Sequence, residues 1–280
     1  MVNIDYTKLL KEVIEEYRSS PIDLLNIGDA ENEFDYLNNH RGSFVRTVRD
    51  INLFCKNIDP ARRVLEIGSF LGPVSFALKR IGYDVSSLDI PEFHESEKLK
   101  AMYKKNGVPF DGLNLRCAKL PYESGSFDAV IMCEVLEHLN FNPLPILQEI
   151  NRILKSGGLI YIGMPNQSSL HNRLCLLFGR SIHNAVDDFF QQLDKKNNMI
   201  VGLHWREYTM KESLQMINAL NFETVASYYF VEGGASRASM FGNWVRRIVF
   251  LYPAFRPYQV VIGRKIADAK FDFWRTEANA

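Results

Sequence analysis

The stretch Val64-Leu65-Glu66-Ile67-Gly68-Ser69-Phe70-Leu71-Gly72 decides the fold. It joins a short apolar strand pattern to a helical pattern that begins at Pro73. Glycine at position 68 lets the backbone turn sharply and approach a ligand, and Gly72 lets the next helix pack closely. Because glycines interrupt many strand-to-helix turns, this loop alone leaves a purely structural role open.

Short apolar runs and helical patterns alternate on the C-terminal side of this loop. The apolar runs cover 63–67, 83–88, 127–133 and 159–164. The helical patterns cover 73–81, 94–105 and 143–155. The last of these begins at Pro143 and ends at Lys155-Ser156-Gly157, a typical stop signal. A further helix opens at Thr209, where Glu212 completes a capping box. Repeated strand–helix–strand units predict a doubly wound α/β fold with a mostly parallel sheet and helices on both faces.

The segments outside the alternation divide the chain. Amphipathic helical patterns at 6–18 and 43–57 predict that residues 1–58 form an N-terminal helical extension. The main domain is then 59–280. Within it, 165–203 carries no strand pattern, and we interpret it as an inserted lid over the C-terminal edge of the sheet, where ligands bind in open α/β folds.

Asp89 ends the second strand pattern, about 20 residues after Gly68. A carboxylate at this place can accept hydrogen bonds from both hydroxyls of a ribose. The loop and Asp89 together therefore predict a cofactor with a nucleoside part. A nicotinamide dinucleotide shares these two features, so they leave the cofactor open.

The sequence further along carries a family resemblance. Leu120-Pro121-Tyr122-Glu123-Ser124-Gly125-Ser126-Phe127-Asp128-Ala129-Val130 precedes Glu134-Val135-Leu136-Glu137-His138-Leu139, and Glu149-Ile150-Asn151-Arg152-Ile153-Leu154-Lys155-Ser156-Gly157-Gly158-Leu159 follows. With 64–68, these motifs resemble class I S-adenosylmethionine-dependent methyltransferases over about 63–165. The resemblance continues through His204-Trp205-Arg206-Glu207-Tyr208-Thr209 to a strand ending near Lys265. It implies a Rossmann-like sheet of seven strands, S-adenosylmethionine as methyl donor and S-adenosylhomocysteine as product.

The resemblance also implies the cofactor-binding residues. Beside the methionine part and the transferred methyl it places Glu66, Gly68, Ser69, Gly72, Cys133 and Glu134. Asp89 would hold the ribose, and Cys117 and Ala118 would line the adenine. Two residues depart from the family pattern. Phe70 replaces the middle glycine of the usual Gly-x-Gly, and Arg116 replaces the usual acidic contact to the adenine amine.

The acceptor chemistry is expected to need a base or a metal, because a hydroxyl near pH 7 must lose its proton to attack a methyl group. His138 and His204 are the candidate catalytic bases. Glu134-x-x-Glu137-His138, followed by His204, could also converge as oxygen and nitrogen ligands for Mg²⁺, Mn²⁺ or Zn²⁺. This arrangement resembles the metal sites of polyprenyl-dihydroxybenzoate O-methyltransferases and of small-RNA 3′-terminal 2′-O-methyltransferases. In the alternative interpretation, Glu-His-Leu only shapes the site.

The composition narrows the partners. Lys plus Arg (33) balance Asp plus Glu (33), which disfavours a nucleic acid bound by phosphate neutralisation. We therefore expect a small-molecule acceptor with a hydroxyl, on a sugar or glycolipid or on a quinone-like ring. The four scattered cysteines, the charged N-terminus and the lack of a long apolar run predict a cytoplasmic protein.

The segment 240–252 combines Trp244 with Arg246 and Arg247 among aliphatic residues. It predicts either peripheral membrane contact or a helix packed on the sheet or on a second subunit. Two rival functions remain at this point. One is a nicotinamide-dependent oxidoreductase, which the motif around Glu134 does not fit. The other is a degenerate cofactor-binding protein without catalysis, which Phe70 and Arg116 motivate.

Overall fold

The computed structural model describes residues 4–22, 32–55, 62–117, 119–193, 202–232 and 248–271. Seven strands form one sheet, ordered β3-β2-β1-β4-β5-β7-β6. The strands are β1 (Arg63–Ile67), β2 (Asp84–Asp89), β3 (Phe110–Gly112), β4 (Phe127–Cys133), β5 (Leu154–Pro165), β6 (Phe222–Phe230) and β7 (Tyr258–Lys265). Strands β1 to β5 are parallel, and β7 runs antiparallel to both β5 and β6. The predicted doubly wound, mostly parallel α/β fold is confirmed.

Ten helices accompany the sheet in the described part of the chain. They are α1 (Tyr6–Ser19), α2 (Glu33–Asn39), α3 (Arg41–Phe54), α4 (Pro73–Arg80), α5 (Pro91–His94), α6 (Glu97–Lys105), α7 (Leu144–Ile153), α8 (Leu170–Leu177), α9 (Val186–Leu193) and α10 (Met210–Ala219). None of these described helices has both the length and the apolar composition needed to cross a bilayer.

Alternating residues of the central strands supply two hydrophobic cores, one on each face of the sheet. Val64 and Ala129 point into the core that also contains α1, α3, α4 and α6. Leu65 and Val130 point into the core that contains α7 and α10. This alternation explains why β1 and β4 are largely apolar, because both faces of a covered parallel strand are buried.

The N-terminal helices α1 to α3 pack onto the first of these cores through buried apolar side chains. Leu10 of α1 and Val48 of α3 are fully buried there. The Tyr17 hydroxyl donates to the Leu71 carbonyl in the loop between β1 and α4. The extension thus lies directly against the loop singled out from the sequence. The predicted boundary after residue 58 falls outside the described residues.

Two predicted helix boundaries are wrong. The pattern at 143–155 gives a helix that ends at Ile153, because Leu154 already pairs with Phe127 as the start of β5. Gly157, with φ +76°, lies in the strand segment and does not end the helix. The pattern at 94–105 is split, since the Ser96 side chain caps a new helix by accepting from the Leu99 amide at 3.3 Å.

Candidate active site

The carboxyl ends of neighbouring strands bring the predicted cofactor residues to one edge of the sheet. Gly68 follows β1, Asp89 ends β2 and Glu134 follows β4, and β1 lies between the other two strands. The Gly68 amide donates to the Leu88 carbonyl at 2.8 Å, which ties the loop to β2. A Cβ at Gly68 would lie 2.2 Å from Cγ2 of Val135, so only glycine fits this close approach of two loops.

Asp89 is held by the loop that it faces. Its carboxylate accepts from the Phe70 amide at 2.6 Å and from the Ile90 amide at 2.7 Å. Burial raises the pKa of Asp89 to about 6, although both hydrogen bonds oppose that shift. Each carboxylate oxygen can accept a second hydrogen bond, so Asp89 keeps capacity for a ribose diol. This donor–acceptor chemistry fits the predicted nucleoside.

Phe70, the bulky departure from the family glycine pattern, is part of an aromatic cluster. Its ring contacts Tyr36 edge-on at 5.5 Å between centroids and Phe93 at 4.8 Å. Phe70 adopts φ +44°, a conformation that glycine would adopt freely. The Tyr103 hydroxyl fixes this turn by donating to the Phe70 carbonyl at 3.0 Å, and it lies 2.7 Å from Ser69 Oγ. The extension therefore provides a packing partner for the residue that replaces glycine.

Glu66 is a buried carboxyl group at the end of β1. Its side chain accepts a hydrogen bond from Ser75 in the first turn of α4, and Ser75 Oγ lies 2.7 Å from Ser87 Oγ. Burial raises the pKa of Glu66 to about 8, against the effect of the Ser75 hydrogen bond.

The segment predicted to line the adenine, Arg116 to Ala118, is exposed where the structure describes it. Arg116 and Cys117 belong to a short 3₁₀ turn, and both are exposed. The Arg116 guanidinium donates to Asn140 and lies 5.0 Å from the centroid of the Phe141 ring. This arginine therefore bridges to the loop after β4. Ala118 lies outside the described residues.

A group of acidic and imidazole side chains lies after β4, in which Glu137 is buried and Glu134, His138 and His204 are partly buried. Cys133 ends the strand, and Thr47 of α3 lies 3.7 Å from its thiol sulfur. Glu134 adopts φ +53°, and its amide donates to the Gly163 carbonyl at 2.8 Å. Glu137 is fully buried, and neither of its carboxylate oxygens has a hydrogen-bond partner. Burial and the nearby Glu134 charge raise the pKa of Glu137 well above its ordinary value.

The two predicted histidines lie together beside Glu137. Their rings meet edge-on, with centroids 4.9 Å apart. His138 Nδ1 lies 3.0 Å from the Leu203 carbonyl, which can only accept, so Nδ1 carries the proton and Nε2 keeps a lone pair. Burial, aided by the nearby His204, lowers the pKa of His138 to about 4. His138 is thus a neutral imidazole at pH 7.

Three of the four predicted metal ligands converge. Glu137, His138 and His204 each offer one ligand atom, and these atoms all lie within 4.8 Å of one another. Glu134 is not part of this group, although it interacts electrostatically with both Glu137 and His204. A buried carboxylate without a hydrogen bond, next to two imidazoles, has the donor chemistry of a divalent-cation site.

Another group beside Glu134 was missed from the sequence. His40 Nδ1 lies 3.6 Å from Glu232 Oε1, and hydrogen bonding to Glu232 raises the pKa of His40. The Arg46 guanidinium lies 3.1 Å from the centroid of the Phe230 ring. His40 and Arg46 come from the N-terminal extension, whereas Phe230 ends β6. No local pattern connects residues this far apart in the chain.

A family model described as a methyltransferase domain matches residues 65–162, the segment that contains the loop after β1, Asp89 and the Glu137–His138 pair. This match supports a class I S-adenosylmethionine-dependent methyltransferase. The match favours a methyltransferase over the nicotinamide-dependent alternative. It also supports S-adenosylmethionine as the cofactor.

Curated relatives match the methyltransferase over part of its length. A ubiquinone biosynthesis O-methyltransferase of Xanthomonas campestris is 32% identical over 112 residues, which are 39% of this chain and 45% of the relative. The mitochondrial ubiquinone biosynthesis O-methyltransferase of Rattus norvegicus is 27% identical over 218 residues, 72% of this chain and 58% of the relative. The chain thus spans about half the length of these relatives.

Solved structures share the fold of the methyltransferase at low sequence identity. A SAM-dependent methyltransferase from Archaeoglobus fulgidus is 16% identical and has a TM-score of 0.53, with 82% of this chain and 98% of that chain covered. One from Methanosarcina mazei is 19% identical with a TM-score of 0.52, covering 76% of this chain and 97% of that chain.

Proposed function

We propose that this protein transfers a methyl group from S-adenosylmethionine to a hydroxyl of a small-molecule acceptor. The observation that carries the proposal is the convergence of Glu137, His138 and His204 directly after β4. In the family pattern, the residues after the fourth strand face the transferred methyl. Proton-accepting groups at that position suit an acceptor that must lose a proton to react.

The cofactor supplies an electrophilic methyl group on a sulfonium. On the protein side, Asp89 would bind the ribose hydroxyls, and the loop from Gly68 to Gly72 would approach the methionine part. Cys133 and Glu134 would lie close to the sulfonium. In its ionised form the Glu134 carboxylate would favour a cation there, because opposite charges attract strongly where water is excluded.

The acceptor proton would pass to a nitrogen or oxygen of the Glu137–His138–His204 group. His138 is neutral at pH 7 and has an unprotonated Nε2, as both a base and a metal ligand require. A pKa near 4 makes His138 a weak base, so this geometry favours a ligand role for it. A divalent cation held by Glu137, His138 and His204 would lower the pKa of a hydroxyl bound to it.

The acceptor is proposed to be a hydroxyl on a quinone-like ring, with a sugar or glycolipid as the second candidate. The relatives named ubiquinone biosynthesis O-methyltransferases support the ring. The sugar is supported by the acidic Glu232 and the basic His40 beside it, which can hydrogen-bond to a polyol. Peripheral membrane contact through 240–252 stays a prediction, since 240–247 lie outside the described residues.

The proposal is tested by measuring methyl transfer to catechol and to a simple hexoside, each with and without EDTA. Loss of turnover with EDTA and recovery with one divalent ion would support the metal. Turnover that survives EDTA but disappears in His138→Ala would leave general-base catalysis and exclude the metal. Turnover unaffected by EDTA and by replacement of either histidine would contradict the hydroxyl acceptor, because an amine or thiol is already nucleophilic.

A further inference from the structure

His204 has a carboxylate partner in its own loop. Nδ1 of His204 lies 3.3 Å from Oε1 of Glu207, three residues further along the same loop. Glu207 is 8% exposed, so its carboxylate is largely shielded from water. A shielded carboxylate interacts more strongly with its partners than an exposed one, because screening by water is weak there.

The second oxygen of Glu207 is held by the inserted segment. Asn172, in the first turn of α8, donates from Nδ2 to Glu207 Oε2 at 2.8 Å. The same amide nitrogen lies 3.1 Å from the Gln167 carbonyl, and Asn172 is itself 8% exposed. The order Asn172, Glu207, His204 therefore forms a continuous chain of hydrogen bonds from α8 into the active site.

A second contact ties the insertion to the same histidine. The Asn184 side chain, just before α9, accepts from the His204 amide at 2.7 Å. The neighbouring Trp205 stacks on Phe189 of α9, with ring planes 6° apart. Both helices of the insertion thus contact the loop that carries His204.

We infer that Glu207 is a positioning residue that fixes the tautomer of His204, and that Asn172 of α8 holds Glu207 for this task. An ionised carboxylate can only accept hydrogen bonds, so His204 Nδ1 must carry the proton. The lone pair then lies on Nε2, on the side of the ring away from Glu207. Carboxylates beyond a metal-binding histidine orient its ring and raise its basicity in the same way.

This inference rests on the proposed function for the use of Nε2, but the tautomer itself does not depend on methyl transfer. Glu207→Gln is the decisive variant, because the amide must place its NH₂ group on one of two sides. Facing Asn172, the NH₂ group would oppose another donor. Facing His204, it would donate to Nδ1, and the imidazole proton would move to Nε2. The second arrangement is the expected one, because Asn172 Nδ2 also lies at the Gln167 carbonyl and so stays a donor toward residue 207. The variant thus changes the partner of His204 without changing the size of the side chain.

The test is long-range ¹H–¹⁵N NMR of the full-length protein at pH 8, with the His204 signals assigned by comparison with His204→Asn. We expect the Nδ1–H form in the wild type and a shift toward the Nε2–H form in Glu207→Gln. Glu223→Gln, which changes an exposed carboxylate on β6, is the control and should leave the tautomer unchanged. Asn172→Ala should give a mixture of both forms.

A second readout is the affinity for Mn²⁺ by titration calorimetry, where Glu207→Gln should weaken binding roughly 10–100-fold. An unchanged His204 tautomer in Glu207→Gln, or an Nε2–H form in the wild type, would overturn the inference. If the wild type shows the Nδ1–H form and the variant loses it, while neither binds Mn²⁺ nor transfers methyl groups, the proposed function fails and the positioning role stands.

Discussion

Replacing Glu137 distinguishes a ligand from a residue that only shapes the site. Its carboxylate is fully buried, lacks a hydrogen bond and lies near the charge of Glu134. A buried polar group without a partner costs about 1–3 kcal/mol, and more when charged. Each unit by which burial raises its pKa corresponds to about 1.4 kcal/mol. Without a cation, the wild-type side chain should therefore lower the free energy of unfolding.

Glu137→Gln replaces a carboxyl group, whose charged form is unfavourable at this place, with a neutral amide of the same shape, and this amide can donate to Glu134. We expect the metal-free variant to be more stable than the metal-free wild type by about 1–3 kcal/mol, a rise in Tm of roughly 3–8 °C for a chain of this size. A divalent ion at 100 times its Kd should stabilise the wild type by about 2.7 kcal/mol. The ion should not stabilise the variant. In the presence of the ion, the difference between the two Tm values should therefore become smaller or change sign.

The assay is thermal unfolding followed by circular dichroism, once in EDTA and once in Mn²⁺. Glu149→Gln is the matched control, because Glu149 is also buried but accepts from the Leu120 amide and from Arg152. It should lower Tm in both buffers. If Glu137→Gln lowers Tm in EDTA as the control does, the carboxylate is a structural group. Equal stabilisation of wild type and Glu137→Gln by Mn²⁺ would place the ion elsewhere.

Three further predictions concern the cofactor loop and the insertion. The pKa of Asp89 is about 6, so the affinity for S-adenosylhomocysteine, measured by calorimetry, should be full above pH 7 and fall as the pH drops through 6. An affinity that does not change with pH, or that is unchanged in Asp89→Ala, would exclude the ribose assignment. Gly68 has φ +72°, and a Cβ there would overlap with Val135. Gly68→Ala should therefore lower stability by about 2–4 kcal/mol and also weaken cofactor binding. Gly125→Ala is the control, because Gly125 also has a positive φ, +64°, but open space around the added Cβ, so the loss of stability should be only about 1–2 kcal/mol. Equal losses of stability in the two variants would contradict the packing argument. The segment 165–203 should be cleaved more slowly by a protease when cofactor product and acceptor are present, and equal rates would indicate a fixed insert.

The features predicted correctly from the sequence are those that local physics determines. The apolar runs of β1 and β4 are buried on both faces, and the turn at Gly68 requires a glycine. The capping box at Thr209 is confirmed by both of its hydrogen bonds: the Glu212 side chain accepts from the Thr209 amide, and the Thr209 side chain accepts from the Glu212 amide. In each case the signal and its structural cause lie within a few residues.

The features that were missed depend on distant partners or on short segments. β3 has three residues, too few for a periodic pattern, and α2 has seven. The helix predicted to end at Gly157 ends earlier because pairing with β4 overrides the local stop signal. The packing of Phe70 against Tyr36 and the link from Asn172 to Glu207 join separate parts of the chain. A single sequence contains no local pattern that predicts contacts between residues so far apart in the chain.

The most direct measurement of the central claim follows the methyl carbon itself. The protein is incubated with S-adenosylmethionine labelled with ¹³C in the methyl group and with four acceptors: catechol, a hexoside, a primary amine and a thiol. Our account predicts a new ¹³C signal of a methyl group bound to oxygen, absent with Asp89→Ala and with Glu137→Gln. Label found only on nitrogen or sulfur, or label on oxygen that persists in Glu137→Gln, would contradict it.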